Sequence, residues 1–166
     1  MKNLLMAIAI FVVLPVVAKA YSNIPQCVDF RGKKVIVGFV ETEKGGPAFS
    51  TRDEKENPII GLNKELISRY AKSEASVVFF YLHECGHHVL GHITQRKQSQ
   101  ARNMRDELKA DCWAINAFKK MGATNDDINK VIKDMAWWPI DPSHPAGKSR
   151  VIYMAHCFQQ QSPNFR

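Results

Sequence analysis

Beyond its first twenty residues the chain has no apolar run approaching the roughly 20 residues that a bilayer-spanning helix needs. It also lacks a basic stripe interleaved with stacking aromatics, the pattern of single-stranded nucleic-acid binders. Arg96, Lys97, Arg102 and Arg105 cluster in a polar stretch with no aromatic among them, which reads as a solvated loop. No nucleic-acid partner and no stable membrane insertion are therefore expected. Nothing repeats and no segment is of low complexity, so a repeat architecture is excluded. Cysteine is scarce, with four residues that lack the spacing of a zinc knuckle, and this argues against a cysteine metal site.

The opening "MKNLLMAIAIFVVLPVVAKA" (1–20) places one lysine before an apolar stretch from Leu4 to Ala18 and ends in Ala18-Lys19-Ala20. That is the layout of a secretory signal cut between Ala20 and Tyr21. Pro15 interrupts the stretch and no cysteine stands at the cut, which argues against an anchor and against a lipoprotein. The product is then expected to be exported, to the periplasm or beyond. Its single domain, 21–166, is long enough for a real core. Removing Lys2 and Lys19 with the signal lowers the formal charge from +7 to +5, which favours anionic surfaces without demanding them.

Along the domain, "KKVIVGFVETE" (33–43) is β-branched and reads as a strand, "KGG" (44–46) as a turn and "PAFSTRDEKEN" (47–57) as a polar connection. A short strand is expected around Ile59 and Ile60. Asn63 or Ser73 can cap a helix that runs through "SEASVVFFYLHECGHHVLGH", where apolar residues recur at helical spacing. Residues 93–103 read as a polar linker, and Met104 to Met121 as an amphipathic helix closed by Gly122. A short helix capped by Thr124 or Asn125, a proline-stiffened turn "WPIDPSHP" and a final helix in "AGKSRVIYMAHCF" complete the chain. Strands followed by helices predict an α+β fold, with a small N-terminal sheet ahead of the helices.

The chemistry gathers in "HECGHHVLGH" (83–92). His83 and His87 are four apart, about 40° around a helix, so both imidazoles project from one face toward one ion. Glu84 flanks that face, where it can reach a metal-bound water without ligating the metal. Two ligands plus one general base is the logic of H-E-x-x-H. The apolar "VVFFYL" ahead of it predicts burial, where such groups are costly unless paired or metallated. Gly86 costs roughly 1 kcal/mol against alanine inside a helix, which suggests that another backbone or a substrate passes close by.

A catalytic zinc takes three protein ligands and keeps one place open. A metzincin would supply the third from H-E-x-x-H-x-x-G-x-x-H, but Leu90 and Ile93 stand at those two places. "ELKAD" is the better source. Glu107 and Asp111 share one face of the next helix, Glu107 as the carboxylate ligand and Asp111 as acceptor for a ligating histidine's other N–H. Ala110, Trp113, Ala114 and Ala117 suggest that this side is packed.

"HECGHHVLGH", "ELKADCWA" and "SHPAGKSR", in this order over roughly residues 59–154, resemble the gluzincin metallopeptidases of the CAAX-prenyl-protease and HtpX type. They also resemble bacterial neutral zinc metallopeptidases. The resemblance implies a zincin-like fold and one zinc ion held by His83, His87 and Glu107, with Glu84 as base and Asp111 behind the ligands. It implies a polypeptide substrate held by an edge strand around Ile59–Leu62, and a site near His144, Pro145 and Arg150. There His144 would steady the oxyanion or gate the metal. Unlike the membrane-bound relatives, this chain has no transmembrane helices and is small.

The expected activity is thus zinc-dependent peptide-bond hydrolysis. The rivals are a catalytically silent zinc-stabilised binding or chaperone module, and a metal-free domain stapled by disulfides. Glu84 argues against the first, since a structural zinc needs no base. Among the three cysteine pairings, Cys85–Cys112 with Cys27–Cys157 is favoured. The first two adjoin site residues on separate helices, and the others lie near the ends of the mature chain. His88 is expected to be exposed or hydrogen-bonded, His92 to be a cation at a helix C-terminus, His156 to lack a role, and Trp137 and Trp138 to pack in the core.

Overall fold

Pro58 cannot donate to a sheet, yet it opens the strand on which the whole sheet is organised. The structure, a computed structural model, describes residues 24–41, 46–94, 100–138 and 144–159; the expected signal at 1–20 lies outside them. Strand β1 (Ile36–Val40), β2 (Ala48–Arg52) and β3 (Pro58–Asn63) form one sheet in the order β1-β3-β2. β1 runs parallel to β3, with Ile36 opposite Ile59, and β2 runs antiparallel to it, with Ser50 opposite Ile60.

Two expectations change here. Residues 47–57 were expected as a polar connection, but Ala48–Arg52 form β2. A five-residue strand with serine, threonine and arginine gives little apolar alternation to read. The Ile59–Leu62 run is also not an edge, because β3 is paired on both sides; the edges are β1 and β2. The phenyl ring of Phe49 lies where a Cβ at Gly61 would sit, so glycine is what lets the two strands pack there.

Among the described residues five α-helices follow the strands. Asn63 caps α1 (Lys64–Tyr70) by accepting from Leu66 N at 3.0 Å, and Ser73 caps α2 (Glu74–Val89) by accepting from Ser76 N at 3.2 Å. After a 3₁₀ turn at His92–Thr94 comes α3 (Gln100–Lys120), which starts inside the stretch expected as linker; residues 95–99 lie outside the described part. Gly122, at φ +90°, turns the chain after α3. Thr124 and Asp127 then form a capping box for α4 (Asn125–Met135), and α5 (Gly147–Gln159) closes the fold.

The main core is the apolar face of α2 (Val78, Phe79, Leu82) against Ala114, Ile115 and Phe118 of α3, Ile128, Val131 and Met135 of α4, and Met154 of α5. The opposite side of α2 faces the sheet, where Cys27, Val35, Ile60, Leu62 and Cys85 form a second buried cluster. Among the described residues no helix is long and apolar enough to cross a membrane.

The disulfides are Cys27–Cys85 and Cys112–Cys157, not the pairs expected. Cys85 belongs to the cluster under the sheet, and α3 passes against the neighbouring Gly86 instead; Cys112 joins α3 to α5. Each closes a loop of 58 or 45 residues, about 4 kcal/mol in the chain-entropy account. Trp138 packs against Phe80 and Tyr70 as expected, whereas Trp137 is 83% exposed and is not in the core.

A candidate metal centre between two helices

A Cβ on Gly86 would lie 3.2 Å from the Ala110 carbonyl oxygen and 3.4 Å from its Cα, so the backbone suspected near Gly86 is that of α3. This approach brings Glu107, one turn before Ala110, opposite His83 and His87. All three side chains are buried. His83 Nε2 and His87 Nε2 are 3.1 Å apart. Glu107 Oε2 is 3.1 Å from the first, and its Oε1 is 3.1 Å from the second. A tetrahedral ion with bonds of about 2.0–2.1 Å separates its ligand atoms by roughly 3.3 Å. One ligand atom from each of the three lies within 4.8 Å of the others, so the three groups could hold a metal ion.

The electrostatics lead to the same conclusion. Burial pushes His83 down, but Asp111 and Glu107 outweigh it and hold the imidazole up at about 10. Burial pushes Glu107 up, and hydrogen bonds from His83 and His87 carry it well below the usual carboxylate range. The buried carboxylates of Asp111 and Glu107 thus favour a positive charge beside them.

Asp111, fully buried, receives His83 Nδ1 at 2.9 Å. It is clamped by Arg150 of α5, whose Nε donates to Oδ2 at 2.8 Å and whose Nη2 donates to Oδ1 at 2.6 Å. Burial raises the Asp111 pKa, but Arg150 and then His83 bring it down to about 2. His144, just before α5, is one-third exposed with Nε2 3.4 Å from Glu107 Oε2. Asp111, Arg150 and His144 thus lie beside the His83–His87–Glu107 group, and Glu84 is buried on α2 next to His83 in the chain.

Three participants escaped the sequence reading. The Ser50 hydroxyl on β2 reaches the Glu84 carboxylate and, at 3.0 Å, its backbone carbonyl. Pairing within the sheet places Ser50, and no motif marks it. His92 is not a solvated helix-end cation, for its Nδ1 lies 3.0 Å from His87 Nδ1. Burial, with His87 adjoining, pushes its pKa well down. Gly91, at φ +72°, reverses the chain and was the available signal. Asp106, 3.6 Å from His92 Nε2, is the third. His88 is fully buried and hydrogen-bonded as one alternative had it, donating to the Ile59 carbonyl at 2.9 Å.

Compared with known proteins, residues 72–163, more than half of the chain, match the model of the family described as Peptidase U49. That segment contains α2 and α3, and with them all three ion-binding side chains. No curated protein and no solved structure gives a match.

Proposed function

This chain belongs to the Peptidase U49 family, and on that premise we propose that it is an exported zinc-dependent endopeptidase acting on polypeptides. The observation that carries the metal assignment is the meeting of two imidazole nitrogens 3.1 Å apart with the Glu107 carboxylate, whose Oε2 lies 3.1 Å from His83 Nε2 and whose Oε1 lies 3.1 Å from His87 Nε2. Two histidines and one glutamate form a donor set used by catalytic zinc, with a position left open. Bound there, a zinc ion would polarise the peptide carbonyl and lower the pKa of water to about 7.

The remaining roles fall to the chain's own groups. Glu84 takes a proton from the attacking water and returns it to the departing amine. The Ser50 hydroxyl keeps the Glu84 carboxylate from turning away. Asp111, held by Arg150, fixes the His83 tautomer so that Nε2 faces the cavity. His144 donates a hydrogen bond to the oxyanion; its support is the 3.4 Å approach to Glu107. An extended substrate pairs along the outer edge of β2, the edge strand that carries Ser50. Kinship with the gluzincins is consistent with this ligand set, and the two disulfides are consistent with removal of a signal at 1–20 and a single domain at 21–166 in an oxidising compartment.

The test compares wild type with Glu84→Gln on an unfolded polypeptide, with and without a chelator. The proposal requires cleavage by wild type alone, lost on chelation and restored by zinc, with zinc still bound in the variant. Equal cleavage by both removes Glu84 from the mechanism. No cleavage by either, with zinc bound, assigns the chain to the silent zinc-stabilised module.

A further inference from the structure

Each ligating imidazole has a second nitrogen, and the two are held by different chemistry. His83 Nδ1 faces a carboxylate, that of Asp111, at 2.9 Å. His87 Nδ1 faces another imidazole, that of His92, at 3.0 Å. The far nitrogen of His92 faces Asp106 Oδ1 at 3.6 Å, and both of these side chains are largely buried, at 10% and 14% exposed. We propose that His92 and Asp106 are positioning residues for the metal: Asp106 sets the His92 tautomer, and His92 Nδ1 accepts the Nδ1–H of His87, leaving Nε2 of His87 bare toward the ion.

The proton positions follow from the geometry. A neutral imidazole carries one N–H. His87 Nε2 points at His83 and Glu107, so to bind an ion it must be bare and its proton must lie on Nδ1. Across 3.0 Å from that N–H, His92 Nδ1 must then be the acceptor, which leaves the His92 proton on Nε2, toward Asp106. The other His92 tautomer would set two N–H groups head-on and turn a lone pair toward a carboxylate, unfavourable at both ends. Gly91 makes the arrangement possible, since its left-handed φ of +72° folds His92 back beneath the last turn of α2. The two rings meet edge-on, with centroids 5.1 Å apart and planes at 70°, which allows a ring-nitrogen hydrogen bond and is not a parallel stack.

This inference rests on the metal site proposed above, and its test separates the two. Zinc affinity is measured by competition with a chromophoric chelator for wild type, His92→Ala, His92→Asn and Asp106→Ala. The His87 ring nitrogens of the zinc-loaded wild type are read by ¹⁵N NMR. His92→Ala and Asp106→Ala are expected to weaken zinc about 10–100-fold, the usual cost of losing a partner behind a ligand. His92→Asn, whose amide oxygen lies close to where Nδ1 was, is expected to restore affinity to within a few-fold. A residue that only fills space would not show that rescue. The NMR spectrum should place the His87 proton on Nδ1. Undiminished zinc binding by His92→Ala, no gain from His92→Asn, or zinc on His87 Nδ1 overturns the relay while leaving the metal site standing. A wild type that binds no zinc overturns both.

Discussion

Replacing Arg150 by methionine keeps most of the side-chain volume but strips Asp111 of two charge-assisted hydrogen bonds, at 2.8 and 2.6 Å. Asp111 is fully buried and Arg150 is 3% exposed, so no water replaces what is lost. Only His83 Nδ1, at 2.9 Å, then remains of the partners described above for the carboxylate. Breaking a buried pair from one side costs about 3–5 kcal/mol, much of the 5–15 kcal/mol that holds a typical domain. Urea unfolding of the metal-free protein at neutral pH, followed by tryptophan fluorescence, reads this directly. The double variant Asp111→Leu/Arg150→Met removes both charges and should recover much of the loss, because an apolar pair is often no worse than a buried ion pair. The pH dependence has a defined sign. The Asp111 pKa is depressed from 3.8 to about 2 in the folded chain, so its contribution is complete above 3.8 and disappears as pH falls through about 2. Without Arg150 its folded pKa rises and acid unfolding begins at higher pH. A loss below about 1 kcal/mol, or a double variant less stable than the single one, would refute the clamp.

Glu107→Gln should weaken zinc by more than the ~10–100-fold expected for Asp111→Asn, since the first removes a ligand's charge and the second only a partner behind one; chelator competition decides the order. His83, held up at about 10, is protonated in the metal-free protein at neutral pH and must give up that proton to ligate. Zinc affinity should therefore climb about tenfold per pH unit toward 10, with about one proton released from His83, measurable by calorimetry in two buffers of different ionisation enthalpy. The same shift makes the His83 contribution to metal-free stability complete below 6.5 and lost as pH rises through about 10. Ser50→Ala should lower kcat about tenfold, the scale of one hydrogen bond to a charged group, with KM and zinc content little changed, and Ser50→Thr should restore it.

What could be read in advance was whatever a short stretch encodes by itself. Ser73 and Thr124, each one of two expected alternatives, cap α2 and α4 where a side-chain oxygen precedes an apolar periodicity, whereas Asn63 caps the separate short helix α1. The four-residue spacings His83/His87 and Glu107/Asp111 each define one helical face, and the structure turns those faces toward each other. Gly86 was legible as a place of close approach, although not as to which backbone approaches. What stayed hidden depends on how elements meet. β2 exists because β3 offers it a partner, and nothing within Ala48–Arg52 announces that. Ser50 reaches Glu84 only through that pairing. The cysteines were paired by their nearness to site residues along the chain, but one residue along a helix turns a side chain by about 100°, which takes Cys85 under the sheet rather than toward α3. His92 was read as a helix end because a chain reversal at glycine changes what the next side chain touches.

The most direct test of the metal centre is the zinc content of the purified chain, measured for wild type, Glu84→Gln and the combined variant His83→Ala/His87→Ala. The account predicts about one ion per chain in the first two and none retained by the third. Wild type emptied of metal and failing to take up zinc, or the combined variant holding as much as wild type, would contradict it.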